Sequence, residues 1–202
     1  MPPITLHMVL ARRVAEDLSD DGLRGEMGAY LLGATTPDIR VLTREDRFAT
    51  HFFRLDTHKH QDSVRTFLKA HPELADPGRL NKETQAWAAG YIGHLAMDEH
   101  YITRIYRPFF AAHDALGGVR RANVMDRLLQ FDLDRIHGSD PTLKRALAAA
   151  LGGTIEGIEC GFIDRETLDR WRQVSLDMSQ RNMDWDRMRS MIANHLRYAG
   201  LE

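Results

Sequence analysis

Apolar positions along this chain recur every three or four residues, and no run of alternating apolar and polar character reaches strand length. Ile4, His7, Ala11, Val14 and Leu18 fall on one face, with Arg12, Arg13, Glu16 and Asp17 opposite, which predicts an amphipathic helix over about residues 5–18. A second helix is expected over residues 23–32, where Gly28 and Gly33 would allow close packing. It should stop ahead of Pro37, because the residue before a proline disfavours helical backbone. A long helix over residues 80–107 carries Trp87, Tyr91, His94, Asp98, Ile102 and Ile105 on one stripe and should end or kink at Pro108. Further helical patterns cover residues 59–70, 119–137, 141–151, 166–179 and 184–198, whereas residues 40–57 have no sustained period and read as an irregular loop that returns to the core at His51. With no hairpin signal and no internal repeat, the expected fold class is all-α, a multi-helix bundle forming a single domain over residues 1–202.

Two of the inward positions on these stripes are polar, and that changes the picture. His94 and Asp98 stand one turn apart within the apolar stretch Gly90-Tyr91-Ile92-Gly93-His94-Leu95-Ala96-Met97-Asp98, and His7 interrupts the first helix in the same way. Burying an imidazole and a carboxylate is costly unless they are paired or bind a metal. A buried His to Asp hydrogen bond and a shared ion both meet that requirement. The Trp87 and Tyr91 positions on the same stripe read as core rather than as a substrate box. Asp38 and His51, where the chain re-enters the core, complete a set of three histidines and two carboxylates, hard and borderline ligands that suit zinc, manganese or iron.

Composition narrows the function classes. The net charge is −2 with ten histidines, so no global basic field recruits nucleic acid or anionic lipid. Cys160 is the single cysteine and cannot form an internal disulfide. No run approaches the length of a membrane span, and Met1-Pro2-Pro3 leads into a polar-interrupted helix rather than an apolar signal segment. A cytoplasmic location is the resulting expectation. Glycine-rich phosphate loops and a legible Ser/His/Asp order are both missing from the sequence.

The order His7, Gly33-Ala34-Thr35-Thr36-Pro37-Asp38, Thr50-His51-Phe52, then Gly90-Tyr91-Ile92-Gly93-His94 with Asp98, resembles the zinc-dependent phospholipase C family, related in fold to zinc-dependent single-strand nucleases. The likeness covers about the N-terminal half, to Pro108. It implies an all-helical fold in which His7, Asp38, His51, His94 and Asp98 are metal ligands, Asp98 bridging two ions and Asp38 serving as ligand or general base. The best-known secreted members hold three zinc ions with the help of a later His-x-x-x-Glu helix pair, which has no match here; His137 has no glutamate four residues on. One or two divalent ions are therefore expected, zinc foremost, with manganese or iron as alternatives.

The resemblance implies a metal-dependent hydrolase of a small phosphoric ester, phosphodiester or phospholipid-like; charge and hydropathy give the expectation of no specific nucleic-acid partner and no integral membrane association. A non-catalytic, metal-stabilised helical binding module is the competing reading. An HD-type helical phosphohydrolase, which expects an adjacent His-Asp pair, ranks behind both. Arg40, Arg44, Arg47 and Arg54, in the segment joining two candidate ligands, read either as a phosphate clamp or as a solvated, salt-bridged loop. His58, His60 and His100 lie off the ligand stripe, and Asp132 and Asp134 read as solvated acidic residues.

Overall fold

The computed structural model describes residues 2–111, 113–182 and 184–199. The described residues hold eleven α-helices, several short 3-10 turns and one π-helix, with no strand among them. The fold is the all-α class that the patterning predicts.

Helix α1 (Ile4–Leu18) touches α3 (Met27–Gly33), α7 (Lys82–Tyr101), α8 (Val119–Gly138) and α10 (Arg165–Gln180). Surrounded in this way, its first two turns are buried almost all round, from Thr5 to Val9, while Val14 and Leu18 are exposed at the far end. The single inward stripe expected for α1 therefore holds at His7 and fails beyond Ala11. The second predicted helix is two: α2 (Asp21–Gly25) ends at Glu26, whose φ of −113° and ψ of 34° lie outside the helical region, and α3 begins after it.

The crossing of α3 and α7 organises the molecule. Gly33 and Gly90 allow it: a Cβ on Gly33 would sit 1.9 Å from the Trp87 carbonyl oxygen, and one on Gly90 would sit 2.1 Å from that of Tyr30. Backbone meets backbone there, so only glycine fits. Gly28 plays the same part against Ala150 of α9 (Pro141–Gly152), whereas Gly93 faces open space and brings no helix near.

Between α3 and α7 the chain is more ordered than its lack of period implies. A 3-10 turn (Thr36–Ile39) is followed by α4 (Arg40–Thr43) and α5 (Arg47–His51), so Asp38 and His51 lie in helical turns rather than in an irregular loop. Elements of four or five residues are too short to impose a hydrophobic period, and tertiary contacts decide them instead. Helix α6 (Ser63–Ala70) starts later than the pattern predicts, at the Asp62 cap, whose carboxylate accepts from the Arg65 amide.

Helix α7 stops at Tyr101 and widens into a π-helix (Ile102–Phe110) closed by the Ala111 amide donating to the Tyr106 carbonyl. Pro108 sits inside this wide turn, whose looser pattern tolerates the missing amide. Ile102 and Tyr106 are thereby turned toward a cleft described below. The C-terminal half adds α8, α9, α10 and α11 (Trp185–Ala199), with Trp171 fully buried. No helix among the described residues is long and apolar enough to cross a membrane.

Candidate metal centre

All five candidate ligands come together, from four different elements. Two tryptophans hold the approach to Asp38: the Trp87 indole donates to Thr36 Oγ1 at 3.1 Å and the Trp171 indole to Thr35 Oγ1 at 3.2 Å. The Thr36 hydroxyl in turn donates to the Leu32 carbonyl. This fixes the two residues ahead of Pro37-Asp38. His51 is the last residue of α5, whose end is tied to α7 by the Tyr91 hydroxyl donating to the Thr50 carbonyl at 2.6 Å. Trp87 and Tyr91 are fully buried, as the core reading of that stripe expects.

The histidine rings point inward with one nitrogen each. His94 Nδ1 lies 2.8 Å from the Ala34 carbonyl, which can only accept, so Nδ1 carries the proton and the lone pair of the neutral ring is on Nε2. His51 Nδ1 lies 2.9 Å from the Thr50 hydroxyl. The His7 and His94 rings stack with centroids 3.7 Å apart, and His51 meets His94 edge-on. The Nε2 atoms of His7, His51 and His94 are all buried without a hydrogen-bond partner, as is Asp98 Oδ1. Four orphaned polar atoms in one buried cluster call for an explanation.

Their spacing supplies it. His7 Nε2 and His51 Nε2 each lie 3.4 Å from an Asp98 oxygen, His51 Nε2 lies 3.5 Å from Asp38 Oδ1, and His94 Nε2 lies 3.7 Å from Asp98 Oδ2. These separations exceed those of good hydrogen bonds. They match the roughly 3.4 Å expected between two ligands of one tetrahedral ion with bonds of about 2.0–2.2 Å. Two overlapping triads, His7 with His94 and Asp98, and Asp38 with His51 and His94, can each hold a metal ion. The donor set fits a divalent cation.

Electrostatics agree. Burial, reinforced by the adjacent His7 ring, brings the His94 pKa down to about 3, so the ring is neutral and able to ligate. Burial alone would raise Asp98, but its polar contact with His7 and the surrounding imidazoles outweigh that and hold it well below the usual carboxylate range. Asp38 is lowered in the same way, chiefly by His51 and His94 against the opposing effect of burial.

Of the four arginines, Arg47 enters the cluster: Nη2 donates to Asp98 Oδ2 at 2.9 Å and Nη1 to the Phe53 carbonyl at 3.0 Å. Arg54 is exposed, its guanidinium over the Phe48 ring, and Arg44 is an exposed left-handed residue ending α4. The solvated-loop reading therefore holds for Arg44 and Arg54 and fails for Arg47.

A cleft of about 580 Å³ opens beside the cluster and shares Asp38 and Arg47 with it. Its walls are mostly apolar, including Ile4, Val41, Leu55, Ile102, Tyr106 and Phe131. Helix α8 contributes two carboxylates, Asp126 and Asp134, both buried. Asp134 thus departs from the solvated state expected of it, while Asp132 conforms, half-exposed and paired with Arg135. Asp126 accepts from the Tyr101 hydroxyl at 2.5 Å and from the Gln130 amide at 2.7 Å. The Asp126, Gln130, Asp134 spacing of four along α8 signals one shared face, and it is the feature from which this wall could have been read. His60 and His100 lie together with Glu99 and Arg104 around a separate surface cleft, and His58 is exposed. The adjacent His113-Asp114 pair sits on a 3-10 turn (His113–Leu116) and belongs to neither triad.

No curated protein and no solved structure matches the chain. Residues 6–101 match the family model described as zinc dependent phospholipase C. That stretch runs from the first candidate ligand helix to the end of α7 and contains all five converging residues. Over this stretch, just under half of its length, the chain is similar to the zinc-dependent phospholipase C family.

Proposed function

We propose that the chain hydrolyses phosphoric esters, phosphodiester or phospholipid-like, at this centre, with His7, Asp38, His51, His94 and Asp98 as ligands to a divalent cation, zinc foremost and manganese or iron(II) as alternatives. The observation that carries the reading is the trio of orphaned Nε2 atoms around two carboxylates, one of which, Asp38, borders a cleft. A divalent cation, when bound, lowers the pKa of water and offsets charge developing on phosphoryl oxygens. The chain's own residues supply the rest. His94 is held in one tautomer by Ala34, so its lone pair is aimed before any ligand arrives. Asp38 is the carboxylate that borders the cleft, with 14% of its side chain exposed against 3% for Asp98. It is therefore the member positioned to take a proton from an attacking water or to ligate from the open side. The apolar walls suit a phosphoric ester with an apolar arm and would exclude water from around it.

The test uses bis-p-nitrophenyl phosphate and p-nitrophenyl phosphorylcholine with zinc, manganese and iron(II). Turnover that disappears with chelator and in Asp38→Asn is the expected result. No turnover with any of the metals, together with an ion fully ligated by protein, would replace the enzyme by a non-catalytic, metal-stabilised helical module.

A further inference from the structure

We infer that the centre holds a single ion and that the Arg47 guanidinium takes the place of a second cation beside it. The inference rests on the proposed metal-ligand reading of the cluster. The first observation is a count of donors. The two triads share His94, and His94 has only Nε2 to offer, because Nδ1 is committed to Ala34. One nitrogen lone pair binds one ion. With an ion on His7, His94 and Asp98 Oδ1, only Asp38, His51 and Asp98 Oδ2 remain; with an ion on Asp38, His51 and His94, only His7 and Asp98 remain. A second ion would therefore need Asp98 Oδ2 or have fewer than the three protein donors that catalytic zinc sites use.

The second observation is that this oxygen is already engaged. The Asp98 oxygen nearest His51 and His94, Oδ2, already accepts a charge-assisted hydrogen bond from Arg47 at 2.9 Å. A carboxylate that bridges two cations here bridges a guanidinium and an ion. Arg47 is held for this by the Phe53 carbonyl, just past the left-handed Phe52 that ends α5. The side chain is 13% exposed, and that exposed part lines the cleft next to Asp38. A fixed positive charge at the edge of the centre therefore faces the space where a phosphoryl group would lie. A guanidinium matches phosphate oxygens bidentately and cannot lose its proton, so it provides at this position the permanent charge that a second ion would otherwise bring.

Titration of the metal-free protein with cobalt(II), followed by d–d absorption and checked by elemental analysis of the zinc form, should saturate at one equivalent. Saturation at two or more equivalents with comparable affinity would overturn the inference while leaving the metal centre standing; no binding at all would instead remove the proposed function beneath it. Inorganic phosphate should perturb the cobalt spectrum of the one-ion protein. In Arg47→Gln, which frees Asp98 Oδ2, a weaker second cobalt equivalent should appear, and phosphate should bind the one-ion form about ten- to hundredfold more weakly, the scale of a charged hydrogen bond. Arg47→Lys keeps the charge without the fork and tests the point if the Gln variant does not fold; it should bind phosphate at least threefold more weakly than the parent. Unchanged phosphate affinity in either folded variant would show that Arg47 does not face the anion.

Discussion

His94 Nδ1 lies 2.8 Å from the carbonyl oxygen of Ala34, sixty residues earlier, and this one contact sets the orientation of a ring at the heart of the candidate centre. Ala34 follows directly on Gly33, and Gly33 is the residue that admits the backbone of α7. The tautomer of a ligand on one helix is therefore coupled to how closely another helix can approach.

Replacing His94 by Ala should abolish metal binding and destabilise the fold by about 1–3 kcal/mol, because the buried Ala34 carbonyl loses its donor and Asp98 a polar neighbour. Elemental analysis and thermal denaturation would check both. Full metal occupancy with an unchanged melting temperature would end the assignment.

Glycine substitutions should separate close packing from simple helix propensity. Gly33→Ala and Gly90→Ala would set a Cβ against rigid backbone at 1.9 Å and 2.1 Å, and each should cost about 3 kcal/mol or more. Both should also weaken metal binding by disturbing the His94 to Ala34 contact. Gly93→Ala, three residues from Gly90, meets nothing within 4 Å and should instead stabilise by about 0.5–1 kcal/mol. Equal effects at Gly90 and Gly93 in denaturant titrations would contradict the α3 and α7 crossing.

The pH dependence of the metal-free protein follows from His94. Its pKa is about 3 in the fold against 6.5 for the ordinary ring, so between those values the unfolded chain takes up a proton that the folded one refuses. Stability from this group is full above pH 6.5 and is lost as the pH falls toward 3, at up to about 1.4 kcal/mol per pH unit. Asp38 and Asp98, both lowered from 3.8, act with the same sign at still lower pH. Denaturant midpoints of chelated protein should fall between pH 7 and pH 4; a flat profile would mean that His94 is not held neutral.

On the opposite wall of the cleft, Tyr101→Phe removes the hydroxyl that donates to Asp126 and leaves that oxygen short of a partner. The expected loss is about 1–3 kcal/mol in thermal stability with metal content unchanged. Loss of the metal would instead draw α8 into the centre itself.

Residue spacing by itself determined the helical class, the long α7 with its inward His94 and Asp98, and the inward His7 near the start of α1. These are local matters: a period of three and four is written in the chain and needs only a core to face. Asp38 and His51, where the chain re-enters the core, completed the set, and the family resemblance gave all five their expected role as ligands. Only the tertiary structure decided the rest. The segment holding Asp38 and His51 has no period of its own, and its short helical turns exist because the indoles of Trp87 and Trp171 and the hydroxyl of Tyr91 hold it. Arg47 looked like its neighbours Arg44 and Arg54, since nothing local tells a solvated arginine from one that reaches a carboxylate fifty-one residues away. Gly90 and Gly93 are likewise indistinguishable by type, and only the position of α3 makes one indispensable and the other replaceable. The buried Asp126 and Asp134 wall followed the same rule, because whether an acidic residue on a helix is solvated depends on what packs over it, and that is a property of the whole fold.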